Sequence, residues 1–227
     1  DPKHRDRIAF LRVCSGWFER DMVVNHSRTG EKVRLSNTRK MFGQERESLD
    51  EACAGDVIGI VGRSGFGIGD TLTSDLAIVY NEIPRFTPEC FVFVRNPNPS
   101  DFKKYNKGLD QLLEEGVMQE FFRGEEQTAG SRLLAAVGPL QFEVVQYRLQ
   151  AEYGAEARLE PAPWQVLRWI DPAQPEEKIA ELRIPSGCAL VWDVHKHPAI
   201  LLPSEWTLNY FKEKNPGISV SVVPFDL

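Results

Sequence analysis

The sequence predicts a mainly β front part followed by an α+β rear part, and three observations carry this. Up to about residue 85, short alternating apolar runs are separated by Gly, Asp, Asn and Ser turn residues, the pattern of a small all-β barrel. Past about residue 100, apolar residues recur at helical spacing, and these stripes alternate with strand-like runs. Between the two textures lie two proline breaks, Ile83-Pro84-Arg85-Phe86-Thr87-Pro88 and Asn96-Pro97-Asn98-Pro99-Ser100. They place a boundary near residue 90. The expected domains are 1–90 and 91–227, with Pro84–Pro99 crossing between them.

In the front part, Ile8–Val13 and Met22–Asn25 read as strands, and Glu31–Leu35 pairs back through a hairpin turn at Thr29-Gly30. A Gly55-Asp56 turn leads into Val57–Val61, a continuous apolar strand suited to a closed barrel, covered on both faces. A glycine-rich loop and a second turn, Gly69-Asp70, follow.

In the rear part, Ser100 or Asp101 caps a helix whose stripe is Phe102, Tyr105, Leu109, Leu112 and Leu113, ending at Gly116. Met118–Phe122 and Leu133–Val137 are strands. Gly138-Pro139 opens a second helix with Phe142, Val145 and Leu149 toward the core, proline being favoured at a first helical position. Strands are expected near Ala155–Leu159, Gln165–Ile170, Ala189–Val194, Ala199–Leu202 and Ile218–Val223. A short helix falls at Pro175–Leu182, and Ser204 caps a last helix bearing Leu208 and Phe211, closed by Asn215-Pro216-Gly217. The arrangement is helices against a largely antiparallel sheet. No internal repeat and no low-complexity tract is visible.

Hydrophobic content of 42% and charged content of 26% are ordinary for a soluble globular protein. No apolar run approaches the roughly 20 residues of a membrane span, and no signal-peptide pattern opens the chain. A cytoplasmic location without a membrane partner is expected. The start at Asp1-Pro2, without methionine, suggests a piece of a longer protein. Cys14, Cys53, Cys90 and Cys188 form no Cys-x-x-Cys pair, so they read as reduced, mostly buried thiols. The net charge of −6 argues against a general nucleic-acid coat. Yet residues 1–46 carry 11 Lys/Arg against 6 Asp/Glu, so a locally basic front can still meet RNA.

Three nucleotide-like motifs fail on chemistry. Gly62-Arg63-Ser64-Gly65-Phe66-Gly67-Ile68-Gly69 has the outer glycines of a phosphate loop, but Ile68 stands at the phosphate lysine and Gly69 at the magnesium hydroxyl. Asp70 also takes the place of the third glycine of G-x-G-x-x-G. Asp56-Val57-Ile58-Gly59 matches D-x-x-G inside an apolar strand. In Asn106-Lys107-Gly108-Leu109-Asp110 the aspartate arrives one residue late for N-K-x-D, about 100° of helix rotation. No nucleotide, cofactor or metal site and no catalytic residue is expected.

Asp193, His195 and His197 alternate at a strand end and could share a face, yet they lack further ligands at metal-site spacing. Cys188 near His195 lacks an orienting partner for a thiol nucleophile. The pairs Glu114-Glu115 and Glu125-Glu126 read as solvated surface. The basic run is different: Arg28, Lys32, Arg34, Arg39 and Lys40 cluster on and after a hairpin, interleaved with Ser36, Asn37 and Thr38. Such a run is either a solvated face or a phosphate-contacting one.

Family resemblance bears on that choice. Arg7–Gly16 with Glu51–Leu72 resembles the second, barrel domain of the translational GTPases. Leu112–Phe121 and Val137–Tyr153 are similar to the third domain of bacterial class II peptide chain release factors (release factor three). Glu115-Gly116 and Gln141-Phe142 stand where elongation factor G relatives carry an acidic-proline and a histidine-leucine pair. Arg34-Leu35-Ser36-Asn37 and Gln44-Glu45-Arg46-Glu47 agree, and the region around 160–185 diverges.

The resemblance implies a translation-factor β-barrel followed by an α/β-plait-like α+β domain. It implies the ribosome-binding portion of a termination GTPase that promotes release and recycling of codon-reading release factors. GTP and Mg²⁺ would sit in a GTPase domain of the same protein, marked by G-x-x-x-x-G-K-[ST] ahead of Asp1. Arg28, Lys32, Arg34 and Lys40 become candidates for small-subunit ribosomal RNA contact, and the third domain for contact with a ribosomal protein. The alternatives are an elongation-factor-G-like or ribosome-protection fragment, or a stand-alone RNA-binding adaptor.

Overall fold

The computed structural model describes residues 8–42, 45–62, 65–80, 86–124 and 131–225. The chain divides into two compact units, Asp1–Pro84 and Arg85–Leu227.

The first unit holds β1 (Ile8–Arg12), β2 (Trp17–Glu19), β3 (Val23–His26), β4 (Lys32–Arg34), β5 (Thr38–Phe42), β6 (Glu45–Ser48), β7 (Glu51–Cys53), β8 (Val57–Val61) and β9 (Leu72–Thr73). They form antiparallel sheets in the orders β1-β8-β5-β6, β2-β7 and β4-β3-β9. All three sheets contribute to one core of Phe18, Val24, Val33, Leu35, Ala52, Ile58 and Ile60. Strand alternation builds it: Val33 is buried between exposed Lys32 and Arg34, and Phe18 between exposed Trp17 and Glu19. Gly30 adopts φ 71° in the hairpin turn, a left-handed conformation that glycine takes without penalty. In the run Val57–Val61, Ile58, Gly59 and Ile60 are buried, so both faces are covered along its middle, and Val57 is exposed at the strand's entry.

The second unit contains β10 (Cys90–Arg95), a 3₁₀ turn (Pro99–Asp101), α1 (Phe102–Glu114), β11 (Gln119–Phe121), β12 (Ser131–Ala136), α2 (Leu140–Tyr153) and β13 (Arg158–Pro161). It continues with β14 (Val166–Ile170), α3 (Glu176–Ala180), β15 (Ala189–Trp192), β16 (Pro198–Leu202), α4 (Glu205–Lys214) and β17 (Val220–Ser221). This is the α/β-plait twice over. Each half runs β-α-β-β-α-β, and the sheet orders, β11-β12-β10-β13 and β15-β16-β14-β17, are equivalent. The structure thus contains an internal repeat that the sequence does not display.

The two sheets pack face to face and join at their margins. Phe122, beyond β11, and Trp192 of β15 exchange backbone hydrogen bonds of 2.7 and 2.9 Å. Phe91, Leu133 and Ala135 of the first sheet meet Leu167, Trp169, Val191, Ala199 and Leu201 of the second. Outside them, α1 and α2 cover Val92, Val94, Leu134 and Ala136, while α4 covers Val166, Ile170, Ile200 and Leu202 with Leu208 and Phe211. The order of layers is helix, sheet, sheet, helix, where one sheet was expected.

Several local expectations are corrected. Cys90–Arg95 is a central strand of the second unit and not a crossing segment. The first helix is entered through Asn98, whose side chain accepts from Ser100 N–H at 3.3 Å; Asp101 makes no side-chain cap. The final strand shrinks to Val220–Ser221. Cys14 and Cys53 are exposed and Cys90 and Cys188 half-buried, so the thiols are not mostly buried.

Candidate nucleic-acid interface

The hairpin of β3 and β4 sorts the candidate cations by their partners. Lys32 and Arg34 flank buried Val33, so both side chains leave the same outer face of the strand. Arg34 Nε lies 3.2 Å from Asp21 Oδ1, with most of its side chain in solvent. Arg28 is engaged differently. Its Nε and Nη2 donate to the two oxygens of Asp70 at 2.7 and 2.8 Å, and Nη2 also donates to Gly65 O at 3.0 Å. The Lys40 side chain lies outside the described residues.

Asp70 is the hub of this corner, a role the sequence showed only as a Gly-Asp turn. Its side chain is 9% exposed. It also accepts from Gly67 N–H at 2.6 Å and from His26 Nε2 at 2.7 Å. Thr29 Oγ1 lies 2.9 Å from His26 Nδ1, and Phe66 packs edge-on against the buried imidazole. The Arg28 guanidinium, followed by the Gly67 amide and His26, holds the Asp70 carboxyl well below the usual carboxylate range. The glycine-rich loop is therefore fastened to the hairpin by ionic and hydrogen-bond contacts. Arg28 serves that fastening through Nε and Nη2, leaving Lys32 and Arg34 as the pair displayed outward.

The near-miss nucleotide motifs also have structural employment. Asp56 Oδ2 accepts from Cys53 N–H at 2.9 Å in the turn before β8. Asp110 receives Arg132 Nη1 at 2.6 Å, beside the two-pronged pair of Arg132 with buried Glu120 at 2.7 and 2.6 Å. With Ile68 and Gly69 at the lysine and hydroxyl positions, these residues do not fit GTP and Mg²⁺. No group of His, Cys, Asp and Glu among the described residues is arranged to hold a metal ion.

Asp193, His195 and His197 sit in the turn between β15 and β16, not on a strand face. Asp193 Oδ1 accepts from the backbone N–H groups of His195 and His197 at 2.9 and 2.7 Å. Burial raises the Cys188 thiol pKa, the wrong direction for a thiolate nucleophile.

The signature residues of the rear part are architectural. Gln141 Oε1 accepts from Val137 and Gly138 N–H at 2.8 and 3.1 Å, and its Nε2 donates to Val117 O at 2.7 Å. One carboxamide thus ties the end of β12 and the start of α2 to the turn before β11. Phe142 is buried in the core beneath α1 and α2, and Arg148 joins Glu115 to Glu152.

Comparison with known proteins follows the same division. Residues 80–212 match the family described as "Class II release factor RF3, C-terminal domain", and residues 1–75 match "Elongation factor G domain 2". Peptide chain release factor 3 of Rippkaea orientalis is 46% identical over 222 residues, covering 97% of this chain and 40% of that protein. The factor of a Cyanothece species is 47% identical over 222 residues, with the same coverages. The factor of Gloeobacter violaceus is 45% identical over 218 residues, or 96% of this chain and 41% of the relative. This chain therefore spans about 40% of the length of the curated relatives it matches. A crystal structure of a Thermus thermophilus protein has TM-score 0.57 at 22% identity, over 82% of this chain and 28% of that one, a likeness of fold. With the release-factor model matching more than half of its length, the chain belongs to the class II release factor family.

Proposed function

We propose that this chain is the ribosome-binding portion of a translation termination GTPase, one that promotes departure of codon-reading release factors after peptide release. The barrel contacts small-subunit ribosomal RNA, and the second unit contacts a small-subunit ribosomal protein. GTP and Mg²⁺ act in a GTPase domain of the longer protein, in the cytoplasm. The observation that carries the RNA contact is the outward pair Lys32 and Arg34, set on a strand fixed by buried Val33. Arg28 supports it indirectly by fastening the adjoining loop through Asp70. Lys40 is the fourth candidate.

Cations that neutralise phosphates release counterions, so their contribution depends on salt. In binding of the chain to small ribosomal subunits, Lys32→Ala with Arg34→Ala is expected to flatten log affinity against log salt by roughly one to two units. An unchanged slope in a normally folded variant refutes the hairpin as an RNA contact.

A further inference from the structure

The outer face of the sheet β1-β8-β5-β6 carries a second set of cationic and apolar residues. Register fixes which side chains share it. Phe10 and Arg39 both oppose Gly59, and Arg12 opposes Val57. Their neighbours Leu11, Ile58, Ile60 and Thr38 point inward, the last three being buried. Phe10, Arg12, Val57 and Arg39 therefore share the outer face with the buried Gly59. Gly59 lies between Phe10 and Arg39 in the register, the two being two strand spacings apart, roughly 10 Å.

The chemistry of this face is unusual for the unit. Phe10 is 62% and Val57 55% exposed. Of the arginines whose side chains are described in the first unit, Arg20, Arg28 and Arg34 are paired with Asp50, Asp70 and Asp21. Arg12 and Arg39 have no carboxylate partner among the described residues; Arg39 Nη1 donates to the neutral Ser48 hydroxyl at 2.8 Å. Among the described arginines of this unit, the two left uncompensated are thus the two that flank an exposed aromatic ring.

Uncompensated guanidiniums call for an anion, and an exposed ring beside them calls for a flat apolar surface. A single-stranded nucleic acid supplies both in one ligand: phosphates for the arginines and an unpaired base for the ring. A duplex keeps its base faces stacked and offers only the phosphates. We propose that the Phe10–Arg12–Arg39 face binds single-stranded RNA, with a base stacked on Phe10 and adjacent phosphates on Arg12 and Arg39. This rests on the reading of the barrel as RNA-contacting, but on residues separate from the Lys32–Arg34 hairpin.

The test is fluorescence anisotropy of the 227-residue chain with a short labelled oligoadenylate and with a duplex RNA of equal length. Phe10→Ala is expected to weaken oligoadenylate binding about 10-fold, within the range of a lost base–aromatic stack, and to leave duplex binding unchanged. Phe10→Trp is expected to retain affinity. Arg12→Gln with Arg39→Gln, both at solvent-facing positions, should flatten the oligoadenylate salt slope by about one unit or slightly more. Failure to bind oligoadenylate, equal loss on duplex and single strand, or wild-type binding by a folded Phe10→Ala variant overturns the proposal. Should Phe10→Ala not fold, the unchanged salt slope of the arginine variant overturns it instead. Weakened ribosome binding by Phe10→Ala without oligonucleotide binding assigns the face to a protein and also overturns it. A Phe10-dependent oligoadenylate affinity beside an unchanged ribosome slope for Lys32→Ala with Arg34→Ala sinks the hairpin reading and keeps this one; the converse does the reverse.

Discussion

Replacing Asp70 with asparagine keeps the shape of the side chain and removes one charge at the point where the glycine-rich loop meets the hairpin. Four donors converge on the carboxylate: Arg28 Nε and Nη2, His26 Nε2 and Gly67 N–H, at 2.6–2.8 Å. Hydrogen bonds to a charged group each contribute about 1.5–3 kcal/mol net, and breaking a buried ion pair costs about 3–5 kcal/mol. Here the pair is buried on one side only. Asp70 is 9% exposed while Arg28 is 57% exposed, so water recovers much of the arginine's share. Asparagine also keeps one acceptor oxygen. A loss of about 2–3 kcal/mol results, which in a unit of this size lowers the melting temperature by roughly 10–20 °C.

The assay is hydrogen exchange of peptides from residues 8–80 during urea unfolding, which separates the first unit from the second. A loss below about 0.5 kcal/mol, the scatter of ordinary surface substitutions, refutes Asp70 as the fastener. The pH dependence gives an independent sign. The folded-state carboxyl titrates below its unfolded value near 3.9, so its stabilisation is complete above that value and lost as pH falls further. Between pH about 4 and the acid extreme, the wild-type barrel should lose stability more steeply than Asp70→Asn. Parallel acid limbs contradict the assignment.

Two further outcomes are expected. Isothermal calorimetry with GDP or GTP should give no heat of binding, because Ile68 and Gly69 occupy the lysine and hydroxyl positions; micromolar affinity overturns that reading. Gly108→Ala places a methyl 2.7 Å from Tyr153 Cγ and 2.8 Å from Leu149 Cδ2 at the crossing of α1 and α2, so the cost of overpacking, about 1–3 kcal/mol, should exceed the helix-propensity gain of about 1 kcal/mol. A raised urea midpoint would show that the helices can part freely.

Most of what the sequence revealed came from residues whose local rule and tertiary task coincide. Val33 alternates with Lys32 and Arg34, and the strand forms as patterned. Phe142, Val145 and Leu149 recur at helical spacing, and they are the buried face of α2. Where the rules diverged, the sequence misled. Cys90-Phe91-Val92-Phe93-Val94-Arg95 lies between two proline breaks and so reads as linker, yet the prolines merely bound a strand whose two faces serve two cores. Arg28 looks like any member of a basic run. Its commitment depends on Asp70, more than forty positions away, and charge counting within a window cannot register that pairing. The same limit hid Arg12 and Arg39. Their distinction is the lack of an acidic partner among the described residues, a property of register and not of composition.

The doubled plait explains why its repetition left no trace in the chain. Equivalent strand order demands only that the strands meet in the same sequence; it sets no residue identities and few lengths. α1 runs Phe102–Glu114 while its counterpart α3 is Glu176–Ala180, and the paired crossovers differ accordingly. What the two halves must share is a sheet with two apolar faces, since each sheet packs against helix on one side and against the other sheet on the opposite side. Val166–Ile170 and Pro198–Leu202 meet that demand with continuous apolar or stem-burying residues, which single-strand patterning reads as generic core. The shared sheet-to-sheet core makes the halves one folding body, so the helices on its two outer sides are held at a fixed separation. That rigidity suits the proposed role, in which the unit would present a ribosome-facing surface at a set distance from a switching domain.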